Sequence, residues 1–101
     1  MIKRERKPTA PGTLLLELFL KPRGITISAF AEAVGFSRKH ISNIIHGRAR
    51  IDAQLAARIG VVLGTSSRVW LNGQSAIDAW QAEKELKNWK PAVTFKQPAI
   101  V

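Results

Sequence analysis

Residues 26–50, TISAFAEAVGFSRKHISNIIHGRAR, read as two short helices joined by a tight glycine turn, the pattern of a helix-turn-helix. The first helix starts from a Thr26 N-cap and carries Ile27, Phe30, Ala31 and Val34 as an apolar stripe at helical spacing. Gly35 stops it, because a sharp C-cap needs a positive φ that a Cβ would strain. Ser37 caps the second helix. Its Ile41, Ile44 and Ile45 turn inward and leave Arg38, Lys39, His40, Ser42, Asn43 and His46 outside, and Gly47 closes it. Two spacings set this apart from an arbitrary helix pair. Small Ala31, four residues before Gly35, lets the helices approach, and Ile41, six residues after it, fills the crossing.

Working outward, residues 1–10 form a flexible basic arm that includes Lys3, Arg4, Arg6 and Lys7, either solvated or reaching DNA. Pro11 suits the first turn of helix one, whose buried stripe is Leu14, Leu15, Leu18 and Phe19, ending at Pro22 and Gly24. Asp52 caps helix four, with a stripe of Leu55, Ile59, Val62 and Leu63 that stops at Gly64. Ser66 or Ser67 opens helix five, which runs to about Lys87 or Asn88, with Asn72 and Gly73 weakening and kinking its early turns. Residues 90–101, with Pro91 and Pro98 around Val93-Thr94-Phe95, form an extended tail. The expectation is an all-α domain of five helices over 11–89, flanked by the arm and the tail.

A chain of 101 residues with 46% hydrophobic content supports one modest core. Its net charge of +9 favours an anionic partner, nucleic acid before a membrane surface. Residues 1–50 hold ten basic side chains against three carboxylates, so the excess lies with the helix-turn-helix. Cysteine is absent, which excludes disulfides, thiolate metal sites and cysteine nucleophiles. The apolar run Leu14–Leu20 is short and interrupted by Glu17, so neither a signal core nor a membrane span is expected, and the reading is cytoplasmic.

In a helix-turn-helix the second helix enters the major groove with its first residues at the base edges. Arg38, Lys39, His40, Ser42 and Asn43 are therefore the candidates for reading bases, with Arg38, Lys39 and Asn43 foremost. Thr26, Ser28, Ser37, Arg48 and Arg50 are candidates for phosphate contacts, Ser37 mainly as a cap. Solvated surface charge is the alternative for each cation. Between residues 37 and 50, however, four cations meet no carboxylate, so no local ion pair absorbs them. His40 and His46 are six residues apart and do not share a face at ligand spacing, so no metal or cofactor is expected. Catalysis has no candidate: no serine sits in a nucleophile elbow, Asp52 is a cap, and Glu83 with Lys87 reads as an ordinary surface pair.

Helix five carries a second signal. Trp70, Gly73, Ile77 and Trp80 follow a three-four alternation, a seam that wants a partner surface. Trp70, Gln74, Ile77, Trp80 and Trp89 are the candidates for a dimer or partner interface, with Trp70 the one that the chain's own core is expected to cover. A homodimer would also serve the motif, because one recognition helix reads few bases and a twofold pair meets a palindromic duplex.

The chain resembles the HigA-type (VapI-like) antitoxins of the lambda-repressor-like helix-turn-helix superfamily over about residues 8–89. Pro8-Thr9-Ala10-Pro11-Gly12 and Phe19-Leu20-Lys21-Pro22 with Gly24 are similar to that family's opening motifs. Leu63-Gly64-Thr65-Ser66, Trp70-Leu71-Asn72 with Gln74, and Asp78 with Trp80 resemble its C-terminal signature, which ordinary phage-type repressors lack. The resemblance implies an all-helical dimeric antitoxin that binds a RelE-like mRNA interferase and represses its own operon by binding operator DNA. A stand-alone repressor is the alternative. Gly73 departs from the family's usual leucine, and Ser67-Arg68 departs from its Pro-Glu.

Overall fold

The computed structural model describes residues 6–95, and among them the fold is helical without strands. Helix α1 opens as an α-helical turn, Pro11–Leu14, and continues as a π-helix, Leu15–Leu20. Then come α2 (Ile27–Val34), α3 (Arg38–Ile45), α4 (Ala53–Leu63) and α5 (Ser67–Glu85), the last followed by a 3-10 turn, Leu86–Asn88. The expected five-helix architecture is present. Residues 1–5 of the arm, with Lys3 and Arg4, and residues 96–101 of the tail, with Pro98, lie outside the described residues.

The caps set the boundaries as the sequence chemistry requires. Thr26 accepts from the Ala29 N–H at 3.0 Å, Ser37 from His40 at 3.0 Å, Asp52 from Leu55 at 2.9 Å and Ser66 from Val69 at 3.3 Å. Gly35 adopts φ 77°, and its N–H donates to the Ala31 carbonyl at 2.9 Å, so the chain leaves α2 sharply enough for α3 to cross it. Phe30, Ala31, Val34, Ile41, Ile44 and Ile45 are all buried at that crossing.

The core joins these residues to Leu15, Leu20, Ile51, Leu55, Ala56, Ile59 and Trp70. Helix α4 packs along α5 and against α2, while α1 lies across α3 and the start of α5. Trp70 is 1% exposed; its indole N–H donates to the Thr65 hydroxyl at 2.8 Å, and its ring meets Phe19 edge-on with centroids 5.3 Å apart. Thr65 and Ser66 thus both serve α5, one by satisfying its buried tryptophan and the other by capping it.

Three packing expectations change. Leu18 is 62% exposed and Leu20 takes its place inside. The Lys21 N–H donates to the Leu16 carbonyl at 2.9 Å, an i to i+5 closure that stacks Leu15 over Leu20 and carries Leu18 round to solvent. On α4, Val62 is 39% exposed, because Leu55, Ala56, Ile59 and Leu63 already form the stripe and Val62 falls on its edge. Finally, α5 runs through Asn72 and Gly73 without a break. A Cβ on Gly73 would stand 3.3 Å from the Pro11 Cβ, so the glycine marks where α1 crosses α5 and not a hinge. The Glu83–Lys87 pair is absent as well: α-helical winding ends at Glu85, and the tighter turn that follows takes Lys87 out of register.

Among the glycines, Gly12 makes the closest approach to another helix. A Cβ there would lie 2.0 Å from the Ile44 carbonyl oxygen, so α1 and α3 touch backbone to backbone. In urea denaturation, Gly12→Ala is expected to lose at least about 2 kcal/mol through overpacking. Gly73→Ala should change stability by less than about 1 kcal/mol, since its mild contact is offset by better helix propensity. Equal losses at the two sites would contradict this ranking of the contacts.

Candidate nucleic-acid interface

The first turn of α3 is held from both sides. Its N-terminus is fixed by the Ser37 cap, and the turn before it is braced by Arg58 of α4. The Arg58 guanidinium donates to the Val34 carbonyl at 3.0 Å, satisfying an end of α2, and lies over the Phe36 ring at 5.0 Å. His40 also stacks on Phe36, its ring 5.2 Å away at 29°. No sequence signal pointed to Arg58, because the carbonyl it serves is twenty-four residues away.

On that braced turn Arg38 and Lys39 are exposed, and among the described residues neither takes a side-chain hydrogen bond or an ion pair. His40, Ser42 and Asn43 are half-buried beside them. The His46 Nδ1 lies 2.8 Å from the Ser42 carbonyl, which ties it to the end of its own helix. Asn43 turns toward the following loop, where its side-chain oxygen accepts from Arg48 Nε at 3.3 Å and its carbonyl accepts from the Arg48 N–H at 2.7 Å. Thr26 and Ser28 are exposed at the start of α2. The Thr26 and Ser37 oxygens already serve as caps, which leaves each hydroxyl proton available to an anion.

The loop after α3 is not free of carboxylates. Arg50 donates to Asp78 of α5 and forms an ion pair with it, correcting the expectation that its charge is unabsorbed. The partner lies twenty-eight residues on, beyond any local count of charges. Hydrogen bonding to Arg50 holds the Asp78 carboxyl below the usual carboxylate range against partial desolvation, with the Gln74 amide adding to the effect. The same bond and charge raise the Arg50 guanidinium above its ordinary value.

Gln74 is also placed differently from the interface role expected of it. It is buried, its Oε1 accepting from the Ile51 N–H at 2.9 Å and its Nε2 donating to Asp78 at 3.0 Å. Trp70 and Gln74 therefore face the chain's own interior and are not open to a partner. Seven residues separate Trp70 from Ile77, two helical turns, and burial falls off along them. Ile77 and Trp80 remain half-buried, and Trp89 is 61% exposed. Lys84 and Lys7 both lie over the Trp80 ring, at 5.0 and 5.7 Å, so the last described part of the arm rests on α5. Residues 90–95 are exposed and form neither helix nor strand, with a bend at Ala92. Among the described residues no helix is long and apolar enough to cross a membrane.

Comparison with known proteins matches residues 16–71 to the helix-turn-helix family. The chain is 38% identical to antitoxin HigA-1 of Vibrio cholerae serotype O1, over 98% of each chain. It is 37% identical to an uncharacterized HTH-type transcriptional regulator of Haemophilus influenzae, over 87% of this chain and 88% of that one. Among solved structures it superposes on antitoxin GraA in complex with its operator with a TM-score of 0.75 and 29% identity, covering 93% of this chain and all of the other.

If Ser37 serves chiefly as a cap, Ser37→Ala should cost about 1 kcal/mol in denaturant titrations without any DNA present. Unchanged stability would remove the cap from the account and leave the hydroxyl to a ligand.

Proposed function

The chain belongs to the helix-turn-helix family that includes the HigA-type antitoxins, and from that premise we propose that it is an operator-binding antitoxin of a type II toxin-antitoxin system, repressing its own operon and neutralising a RelE-like mRNA interferase. The observation that carries the DNA half of this reading is the first turn of α3, capped and braced, with Arg38 and Lys39 exposed and unpaired among the described residues. A guanidinium there suits the guanine O6 and N7 acceptors in the major groove. His40, Ser42 and Asn43 extend the reading surface, while Thr26, Ser28, Ser37, Arg48 and Arg50 meet phosphate on either side.

Residues 11–89 act as the DNA-binding and dimerisation unit, with residues 1–10 as a flanking arm and 90–101 as a tail. Two copies join through the part of α5 that the core leaves open, Ile77 and Trp80, with Trp89 beyond it. The exposed apolar residues Leu86, Val93 and Phe95 continue that surface toward the tail, which supports a protein partner there. A stand-alone repressor is the second reading, favoured by the Haemophilus influenzae relative described only as a transcriptional regulator.

Two measurements test this. Arg38→Ala should lose about 1–3 kcal/mol of affinity for a duplex selected from a random pool and relax preference at one base position. Unchanged affinity and preference would remove α3 from the role of reader. Co-expression with a RelE-like toxin followed by pull-down should retain the toxin; failure to retain it with DNA binding intact would favour the stand-alone repressor.

A further inference from the structure

We infer that Asp78, together with Gln74, is a positioning residue for DNA binding: from α5 the pair fixes the loop after the recognition helix and presents the Arg50 guanidinium to phosphate. The inference rests on the reading of Arg50 as a phosphate contact. Its basis is a continuous chain of bonds. Asp78 Oδ1 accepts from both Gln74 Nε2, at 3.0 Å, and Arg50 Nη1, while Gln74 Oε1 accepts from the Ile51 N–H at 2.9 Å. One carboxylate oxygen therefore orients the side chain of Arg50 and, through Gln74, the backbone of the residue next to it.

The two halves of this chain have different surroundings. Gln74 is buried at 8% exposure, and fixing its amide by Asp78 determines that the oxygen, not the nitrogen, meets the Ile51 N–H. The ion pair, in contrast, lies in solvent, with the Arg50 side chain 67% exposed. An exposed pair contributes little to folding. Its consequence is geometric. Of the five donors on a guanidinium, Asp78 takes one, which tethers the side chain toward α5 with the remaining donors open to an anion. Ordering a long side chain before binding removes part of the entropy cost of binding. The carboxyl is held ionised by its neighbours, so the arrangement persists at neutral pH.

A carboxylate near DNA would by charge alone weaken binding, and this gives the test its sign. Affinity for a mixed-sequence duplex is measured against salt for the full-length chain, Arg50→Ala, Asp78→Ala and the double variant, with thermal unfolding of each as a folding control. Arg50→Ala should flatten the log–log salt slope by about one. Asp78→Ala should weaken binding about threefold to tenfold although it makes the chain more positive, and should cost nothing further in the Arg50→Ala background. If Asp78→Ala fails to fold, Asp78→Ser, whose shorter side chain withdraws the acceptor from Arg50, is read in the same cycle with the same sign. Binding equal to or tighter than that of the unaltered chain would overturn the positioning role, as would a loss that persists in full without Arg50. An Arg50→Ala variant with an unchanged salt slope would instead remove the phosphate contact itself, and the inference with it.

Discussion

The left-handed turn at Gly35 is the constraint on which the remaining structure hangs. With φ at 77°, it redirects the chain so that α3 crosses α2 and Ala31 and Ile41 are buried in one shared core. A side chain at that position would strain the backbone, and its Cβ would also meet the Arg58 guanidinium at 3.1 Å. Arg58 is the group that completes the end of α2 and packs on Phe36, so the turn and its brace are built together. Everything proposed for DNA depends on it, because the same turn sets the direction in which the first residues of α3 point.

Most of the fold is legible in the sequence because its punctuation is local. Thr26, Ser37, Asp52 and Ser66 act on N–H groups three residues ahead, and Gly35 and Gly64 act on their own backbone, so short-range reasoning places α2, α3 and α4. Helix α1 is less legible. Five of its residues from 14 to 20 are leucines, so its pattern fits more than one winding, and the choice of Leu20 over Leu18 is made by the fit of α1 against α3 and α5. Gly73 was open to misreading for a related reason: a glycine in a helix signals either a kink or a close contact, and only the position of Pro11 decides which.

The site divides in the same way. Which cations lie on the first turn of α3 follows from the Ser37 cap and a 3.6-residue period, with no need of the tertiary structure. What surrounds Arg50 does not follow, because Asp78 arrives from another helix. The C-terminal motif of α5, read from its tryptophans as an interface, is divided by the structure. Trp70 and Gln74 serve the interior and the α3–α4 loop, and Ile77, Trp80 and Trp89 are left toward the outside. One helix thus touches both the loop beside the proposed reading surface and the surface proposed for a second copy.

The central claim, that two copies of this chain read one operator, is tested most directly by the mass of the complex formed on duplexes selected from a random pool. The account predicts two chains per duplex, on a palindromic site whose half-sites are centred about 34 Å apart, roughly one turn of B-DNA. A single chain bound to a single half-site would contradict it.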